Sequence, residues 1–189
     1  MSRLPMPRPV PIIRGKIVTL RPLNPDGDAK DYYEMNLDPE MHLWTHNHVL
    51  DSQEEAREEL GRFAAMNDVT TWAVVDNNSG TMIGRFFVCL EERDGELVAG
   101  EGNRIAKAYW RKGHNREARR LVFEYVFDVL QAECYETDCW AGNINSVESV
   151  KAQGFLPVEE IQDFNKKYNK CMKKARFRLS RTQWKRQKT

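Results

Sequence analysis

The end of the chain has no acid in it. Between residues 164 and 189 there is neither Asp nor Glu, while Lys166, Lys167, Lys170, Lys173, Lys174, Arg176, Arg178, Arg181, Lys185, Arg186 and Lys188 crowd together. A cationic tail of this kind could meet RNA, a ribosome or an acidic substrate. The preferred reading is plainer. "ARFRLS" alternates Phe177 and Leu179 against Arg176 and Arg178, as a half-buried strand does, and a frayed end follows. The whole chain has no bias to match: 29 basic and 28 acidic residues leave a formal charge of +1. Strong attraction to nucleic acid or to a membrane surface is therefore not expected.

Cysteine is scarce, and its four positions (Cys89, Cys134, Cys139 and Cys171) show neither CxxC spacing nor a companion histidine pattern. That excludes a disulfide framework and a zinc ribbon, and suits reduced thiols in the cytoplasm. No apolar run is long enough to span a bilayer, and "MSRLPMPRPVP" is too short and proline-rich for a signal peptide. There is no internal repeat and no linker. The 189 residues suit one domain over 1–189, its core about 15–184 behind a proline-rich lead at 1–11. That length buries a core without disulfides or metal.

What is present is an ordered series of elements. "KIVTLRPL" sets Ile17, Thr19 and Arg21 against Val18 and Leu20, which predicts a first strand. "NPDGDAKDYYEMNLD" predicts a short helix, and "DSQEEAREELGRFAAM" a clearer one, with Ser52 and Glu55 as a capping box. "TWAVVD" and "TMIGRFFVCLEE" are strands joined through "NNSG". "RDGE" turns the chain into a fourth strand, "LVAGEGNRIA". After Gly113 comes a helix with Ala118, Leu121, Val122, Tyr125, Val126, Val129 and Leu130 on one face. "CYETDCWA", a short helix at "NSVESVKAQ", "GFLPVEE" and "KKARFRLS" complete the chain. The order β-α-α-β-β-β-α-β-α-β-β fits an α/β (α+β) fold with one mixed sheet of about seven strands and helices on both faces.

The fourth strand hands over to its helix through "YWRKGHNREA". A strand entering a helix leaves amide N–H groups aimed one way, and the helix dipole adds positive charge there, so an anion is a natural guest. Arg111 and Lys112 add full charges and Gly113 admits close approach. The stretch is neither a Walker loop nor a dinucleotide glycine fingerprint.

With "IAKAYWRKGHNREA" followed, one helix and one strand later, by "NINSVESVKAQGF", the chain resembles the GNAT acyltransferase superfamily. The likeness is to the branch of ribosomal-protein N-terminal acetyltransferases and related small-amine enzymes. "IVTLRPLNPDGDAKDYYEM", "SQEEAREEL" and "RTQW" fit the same branch, so the resemblance runs over about residues 15–184. It implies acetyl-CoA as co-substrate, with the pyrophosphate on the loop pattern Arg/Gln-x-x-Gly-x-Gly/Ala. Here that pattern falls on Trp110 to Asn115, and Arg111, Lys112, Gly113, His114 and Asn115 become cofactor-binding candidates. Only Gly113 matches at a defining position. Trp110 and Asn115 replace the first cation or amide and the last small residue, although main-chain donors survive both changes. Trp110 either alters the loop's grip or simply packs over the sheet end. The resemblance also implies that Asn143 bonds the pantetheine arm and that Ser146 lies near the cofactor; helix capping by the same residues is compatible with both roles.

Acyl transfer by direct attack on the thioester needs a neutral amine and no enzyme nucleophile, so the lack of a Ser/His/Asp or Cys/His signature is expected. A main-chain N–H at Ile105 or Ala106 is expected to stabilise the tetrahedral oxyanion. The family often places a glutamate base on the fourth strand. Glu101 is the candidate, one residue off the usual position held here by Gly100, and a bulge would be needed to bring it round. The tyrosine common before Gly-Phe is replaced by Lys151, which leaves Ser146, Ser149 or a water to protonate the thiolate. "MHLWTHNH" has helical histidine spacing but no acidic or cysteine partner. We read it without metal; the resemblance implies that this stretch borders the acceptor pocket, with Trp44 and His46 as its wall. The expected function is N-acetylation of a primary amine, either a small molecule or a protein N-terminus, by an enzyme compatible with a homodimer. The alternatives are a non-catalytic acyl-CoA-binding module and a ribosome- or RNA-associated protein using the basic tail.

Overall fold

A computed structural model describes residues 3–45 and 48–188. Strands β1 (Ile13–Arg14) and β2 (Val18–Pro22) are followed by helices α1 (Pro25–Asn36) and α2 (Gln53–Ala65), with a 3-10 turn at Pro39–His42 between them. Then come β3 (Thr70–Asp76), β4 (Met82–Arg93), β5 (Glu96–Ile105), a 3-10 turn (Lys107–Tyr109) and α3 (His114–Glu124), which runs on as a π turn over Tyr125–Val129. β6 (Cys134–Trp140), α4 (Ile144–Lys151), β7 (Leu156–Asn165), β8 (Lys170–Ser180) and α5 (Arg181–Gln187) finish the chain.

The strands form one sheet in the order β1-β2-β3-β4-β5-β6-β8-β7, eight rather than about seven. The extra strand is a two-residue piece of the lead, pairing Ile13 with Leu20 and Arg14 with Thr19. Two residues carry no periodicity, so the sequence has no means of announcing it. The end of the chain also departs from expectation. It is a helix, not a frayed tail, and Ser180 and Gln183 close a capping box at its start. Trp184 holds it down, buried and stacked on Phe127 at 5.0 Å. The cations of β8 meet acids from neighbouring strands: Arg176 bonds Asp138 and Glu159, Arg178 bonds Glu96, and Lys174 bonds Asp163.

Alternation sets the layers. In β2, Val18 and Leu20 are buried while Ile17 beside them is exposed. α1 and α2 cover one face, with Tyr32, Met35, Ala56 and Leu60 against Ala73 and Met82. α3 and its π turn cover the other, with Leu121, Val122, Val126 and Phe127 against Trp72, Val74, Phe86 and Tyr135. Ser52 caps α2 through the Glu55 N–H, but Glu55 reaches back to Asp51 (2.7 Å) and so completes a longer loop than the expected box. The β4–β5 hairpin turns on Asp94 and Gly95, both at positive φ (52° and 79°), as the right-handed twist of the strands requires.

Among the described residues β5 and β6 are the one parallel pair of strands, and a crossover through α3 joins them. Their pairing lasts only from Val98↔Cys134 to Gly100↔Glu136. Beyond Gly100 the strands part, and β5 runs on to Ile105 with its β6-side edge unpaired. The functional cleft opens at this split.

Candidate active site

A cleft of about 630 Å³ lies at the split. Asn103, Arg104 and Ile105 of β5 line it, together with Trp110, Arg111, Gly113 and Asn115 from the junction and Asn143 to Ser146 from the start of α4. Met41, Leu43 and Trp44 line its far end.

The junction is built around Gly113, whose φ of 89° and ψ of −10° lie in the left-handed region that glycine enters without strain. Arg111 is left-handed too, at φ 59°. The indole of Trp110 donates to the Ile105 carbonyl (2.6 Å), so this residue ties the loop to the end of β5. On the far side Glu117 accepts from the amides of Lys16, Ile17 and Val18 at 2.7–2.9 Å. Burial opposes the charge of Glu117, but these three amides outweigh it and hold its carboxyl below the usual glutamate range.

Side chains cap α1, α2, α4 and α5, namely Asn24, Ser52, Asn143 and Ser180. α3 has no side-chain cap. Its first-turn amides therefore lack the partner the others have, at the helix end that borders the cleft, which is what an anionic phosphate group needs. Arg111 and Arg116 line the same end. Arg111 also donates to Asn145 Oδ1 (3.1 Å), joining the two motifs across the opening.

Two members of the loop turn elsewhere. The His114 side chain points inward, Nε2 to Asp76 Oδ1 at 3.1 Å and edge-on to Tyr109, so its contribution to the cleft is confined to its main chain. Lys112 lies 5.9 Å over the Tyr109 ring and outside the cleft lining.

The second motif caps a helix and borders the cleft at once. Asn143 caps α4 through the Ser146 N–H (3.3 Å) while lining the cleft. Ser146 Oγ sits 3.1 Å from Cys139 Sγ, whose thiol burial pushes up and keeps protonated. Gly154, at φ 88°, turns the chain so that Phe155 packs against Phe123 and Tyr135.

Along β5 the main-chain assignment sharpens. The Ala106 N–H is already given to the Ile83 carbonyl (2.7 Å), so it is not a free donor. Successive amides of a strand point to opposite edges, which directs the Ile105 N–H toward the open side of the split.

Glu101 is placed differently from expectation. Pairing of β4 with β5 runs unbroken from Gly84↔Ile105 to Arg93↔Glu96, so no bulge brings its side chain round. It faces α3 with Ala99 and Ile105. Its side chain is 0% exposed, bonded to Arg119 (2.6 Å) and to the Tyr135 hydroxyl (2.6 Å). Burial and this carboxylate both push the Tyr135 phenol up, so it remains a donor. Sequence reasoning missed Arg119 and Tyr135, although a glutamate one place out of register was the available signal.

At the far end of the cleft Trp44 lies across Gly142, where a Cβ would come within 2.6 Å of its ring. The roof is pinned by the tip of the β7–β8 hairpin: Lys167 donates to the His42 carbonyl (2.6 Å) and Tyr168 to that of Leu43 (2.7 Å). His42 is buried with Nε2 donating to the Asn36 carbonyl (2.7 Å), and burial pulls its pKa down. His48 turns to Glu55 (2.9 Å), and His46 lies outside the described residues.

Comparison with known proteins supplies the frame for this geometry. The sequence model of the acetyltransferase (GNAT) domain matches residues 18–156. A GCN5-related N-acetyltransferase from Brucella melitensis superposes with a TM-score of 0.82 at 24% identity, covering 96% of this chain and 84% of that one. A protein assigned as a ribosomal-protein-serine acetyltransferase from Vibrio cholerae gives 0.73 at 18%, over 89% and 97% of the two chains. The spermidine N-acetyltransferase of Vibrio cholerae, solved with CoA and spermine, gives 0.73 at 18%, over 88% and 97%. At such identities these three are likenesses of fold. No curated protein matches the sequence. The family model covers most of the chain, and on that match the protein belongs to the GNAT acetyltransferase domain family, acyltransferases that use acetyl-CoA.

Proposed function

We propose that this acyltransferase moves an acetyl group from acetyl-CoA to a primary amine by direct attack. The observation that carries the reading is a single cleft. It joins the uncapped end of α3 to the open edge of β5 and continues to the wall formed by Trp44. The co-substrate supplies an activated thioester, and this chain's residues do the rest. Gly113 and the first-turn amides of α3, with Arg111 and Arg116, bind the diphosphate; Asn143 orients the arm. The Ile105 N–H stabilises the negative charge that builds on the acyl oxygen. Ser146, whose hydroxyl shares a hydrogen bond with the Cys139 thiol, is placed to protonate the departing thiolate. Glu101 holds the apex of the split as a structural carboxylate and is not the base in this reading.

The carboxylates lining the cleft are Glu40 and Glu148, and each already meets a lysine, Lys107 at 2.6 Å and Lys151 at 3.2 Å. Water therefore takes the amine's proton, which suits an acceptor already partly neutral near pH 8. Three of the four cysteines are buried and all are free, which supports placement in the cytoplasm. Because Lys174, Arg176 and Arg178 of β8 are paired with acids, we favour small amines and N-termini over RNA as partners.

Thermal unfolding with and without CoA tests the cleft. Ligand at 100-fold its Kd should stabilise by about 2.7 kcal/mol, and Gly113→Val should abolish that gain. Thiol release from acetyl-CoA across an amine panel tests transfer. No stabilisation by CoA overturns the binding assignment, and stabilisation without turnover of any amine overturns the transfer.

A further inference from the structure

Two arginines stand directly opposite each other on the sheet face that carries α1 and α2: Arg85 of β4 and Arg104 of β5. Like charges in this relation repel, and neither forms an ion pair among the described residues. Arg85 is 8% exposed. Its guanidinium lies 3.5 Å over the Phe63 ring, with Nε and Nη1 buried and unpartnered. Arg104 lines the cleft, and its bonds go to neutral groups, Asn36 Oδ1 and Thr45 Oγ1. The carboxylate close by, Glu59, is engaged by the Tyr32 hydroxyl at 2.6 Å. Burial is the main force on both neighbours, lowering the pKa of Arg104 and raising that of Tyr32.

Buried guanidinium groups that lack an anion are costly, and a native fold keeps them where an anion arrives from outside. Arg104 opens onto the acceptor half of the same cleft, so the anion comes with the acceptor. We propose that the acceptor is a primary amine carrying a carboxylate a few bonds away, held by Arg104 with Arg85 behind it. A planar fork of N–H donors matches a carboxylate in two bonds, which a polyamine cannot offer. The positive charge of Arg104 at the cleft also disfavours an acceptor that is cationic throughout. The inference rests on the acetyl-transfer reading above and narrows it to a substrate class.

The test is a set of matched acceptors with acetyl-CoA, followed by thiol release. β-Alanine is compared with propylamine and β-alaninamide, the dipeptide Ser-Asp with Ser-Asn, both C-terminally amidated, and spermidine stands as the polycation. The acid of a pair should be preferred about 10- to 100-fold in kcat/KM, the size of a charge-assisted hydrogen bond. Whichever pair shows the preference tells a free small acid from an acidic peptide. R104Q should erase it by raising KM for the acid while KM for acetyl-CoA stays put, and R104K should restore part of it. E59Q, which removes the competing charge, should sharpen the preference a few-fold; a merely structural arginine cluster would not respond in that direction. Melting curves confirm that each variant is folded. Preference for the amide, the plain amine or spermidine overturns the inference and leaves acetyl transfer standing. If CoA binds and no amine reacts, the acids are titrated into the CoA-loaded protein against its tryptophan fluorescence. Saturable binding that R104Q abolishes then supports the carboxylate site, and no binding overturns it. Failure to bind CoA removes both readings together.

Discussion

The two faces of β5 treat arginine in opposite ways. Toward α3, Arg119 meets Glu101 at the apex of the split, and the Tyr135 hydroxyl completes the cluster with both charged side chains almost wholly buried. Toward α1 and α2, Arg85 and Arg104 face each other, neither in an ion pair among the described residues, and the nearby Glu59 is bonded to the Tyr32 hydroxyl instead. Burial weighs on both sites. At the apex it works against the charge of Arg119, and Glu101 more than offsets it; at Arg104 burial prevails and the pKa falls. A buried charge answered within the chain fixes the fold, and one left unanswered reserves its donors for a ligand. The difference separates structure from recognition three residues apart on one strand.

The sharpest way to break that contrast is to remove the answered charge. Glu101→Ala strands Arg119 without its carboxylate, and stability should fall by about 3–5 kcal/mol in urea unfolding. A loss below about 1 kcal/mol would mean that the apex pair is not structural. The converse substitution, Arg85→Met, removes a charge that no carboxylate among the described residues pairs with and leaves an apolar side chain to pack on Phe63. Its stability should change by less than about 1 kcal/mol or rise. A fall as large as that of Glu101→Ala would place Arg85 with the structural set and weaken the case for an acceptor carboxylate.

Glu117 extends the comparison to a carboxylate answered by main-chain amides. Its folded pKa is lowered, so the stability it contributes is present above its unfolded pKa of about 4.5 and is lost as pH falls through the folded value. Wild type should therefore lose stability on acidification below about pH 4.5 more steeply than Glu117→Gln does, read from urea midpoints between pH 3 and 6. Parallel curves would show that the three amides do not favour the charged form.

Most of the architecture was legible because it rests on local signals. Asp94-Gly95 called for a hairpin and received one, and alternation in "IVTLRPL" put Val18 and Leu20 inside. The backbone of the strand–helix junction was legible for the same reason, since a glycine there has a local conformational requirement. What escaped depends on contacts between distant segments. β1 exists only because β2 lies beside it, and α5 because Phe127 offers Trp184 a ring. Glu101 had the right residue type on the right strand, yet an unbroken register sent it to the other face. Arg85 and Arg104 are nineteen positions apart, and no periodicity shows that a hairpin will set them opposite each other.

Ser146 carries the smallest of the expected effects, and it separates positioning from chemistry. The leaving thiol ionises near pH 8.5, so it needs only modest help, and Ser146→Ala should lower kcat about tenfold at pH 7. Above the thiol's pKa the sulfur departs as a stable thiolate and needs no proton. The deficit should shrink toward nothing by about pH 9.5 if the hydroxyl acts as a proton donor. Ser146 also contributes its main-chain N–H to the Asn143 cap, which the alanine variant keeps, so α4 itself should stay in place. A tenfold loss that persists unchanged at high pH would make Ser146 a positioning group beside Cys139, and protonation would then fall to water.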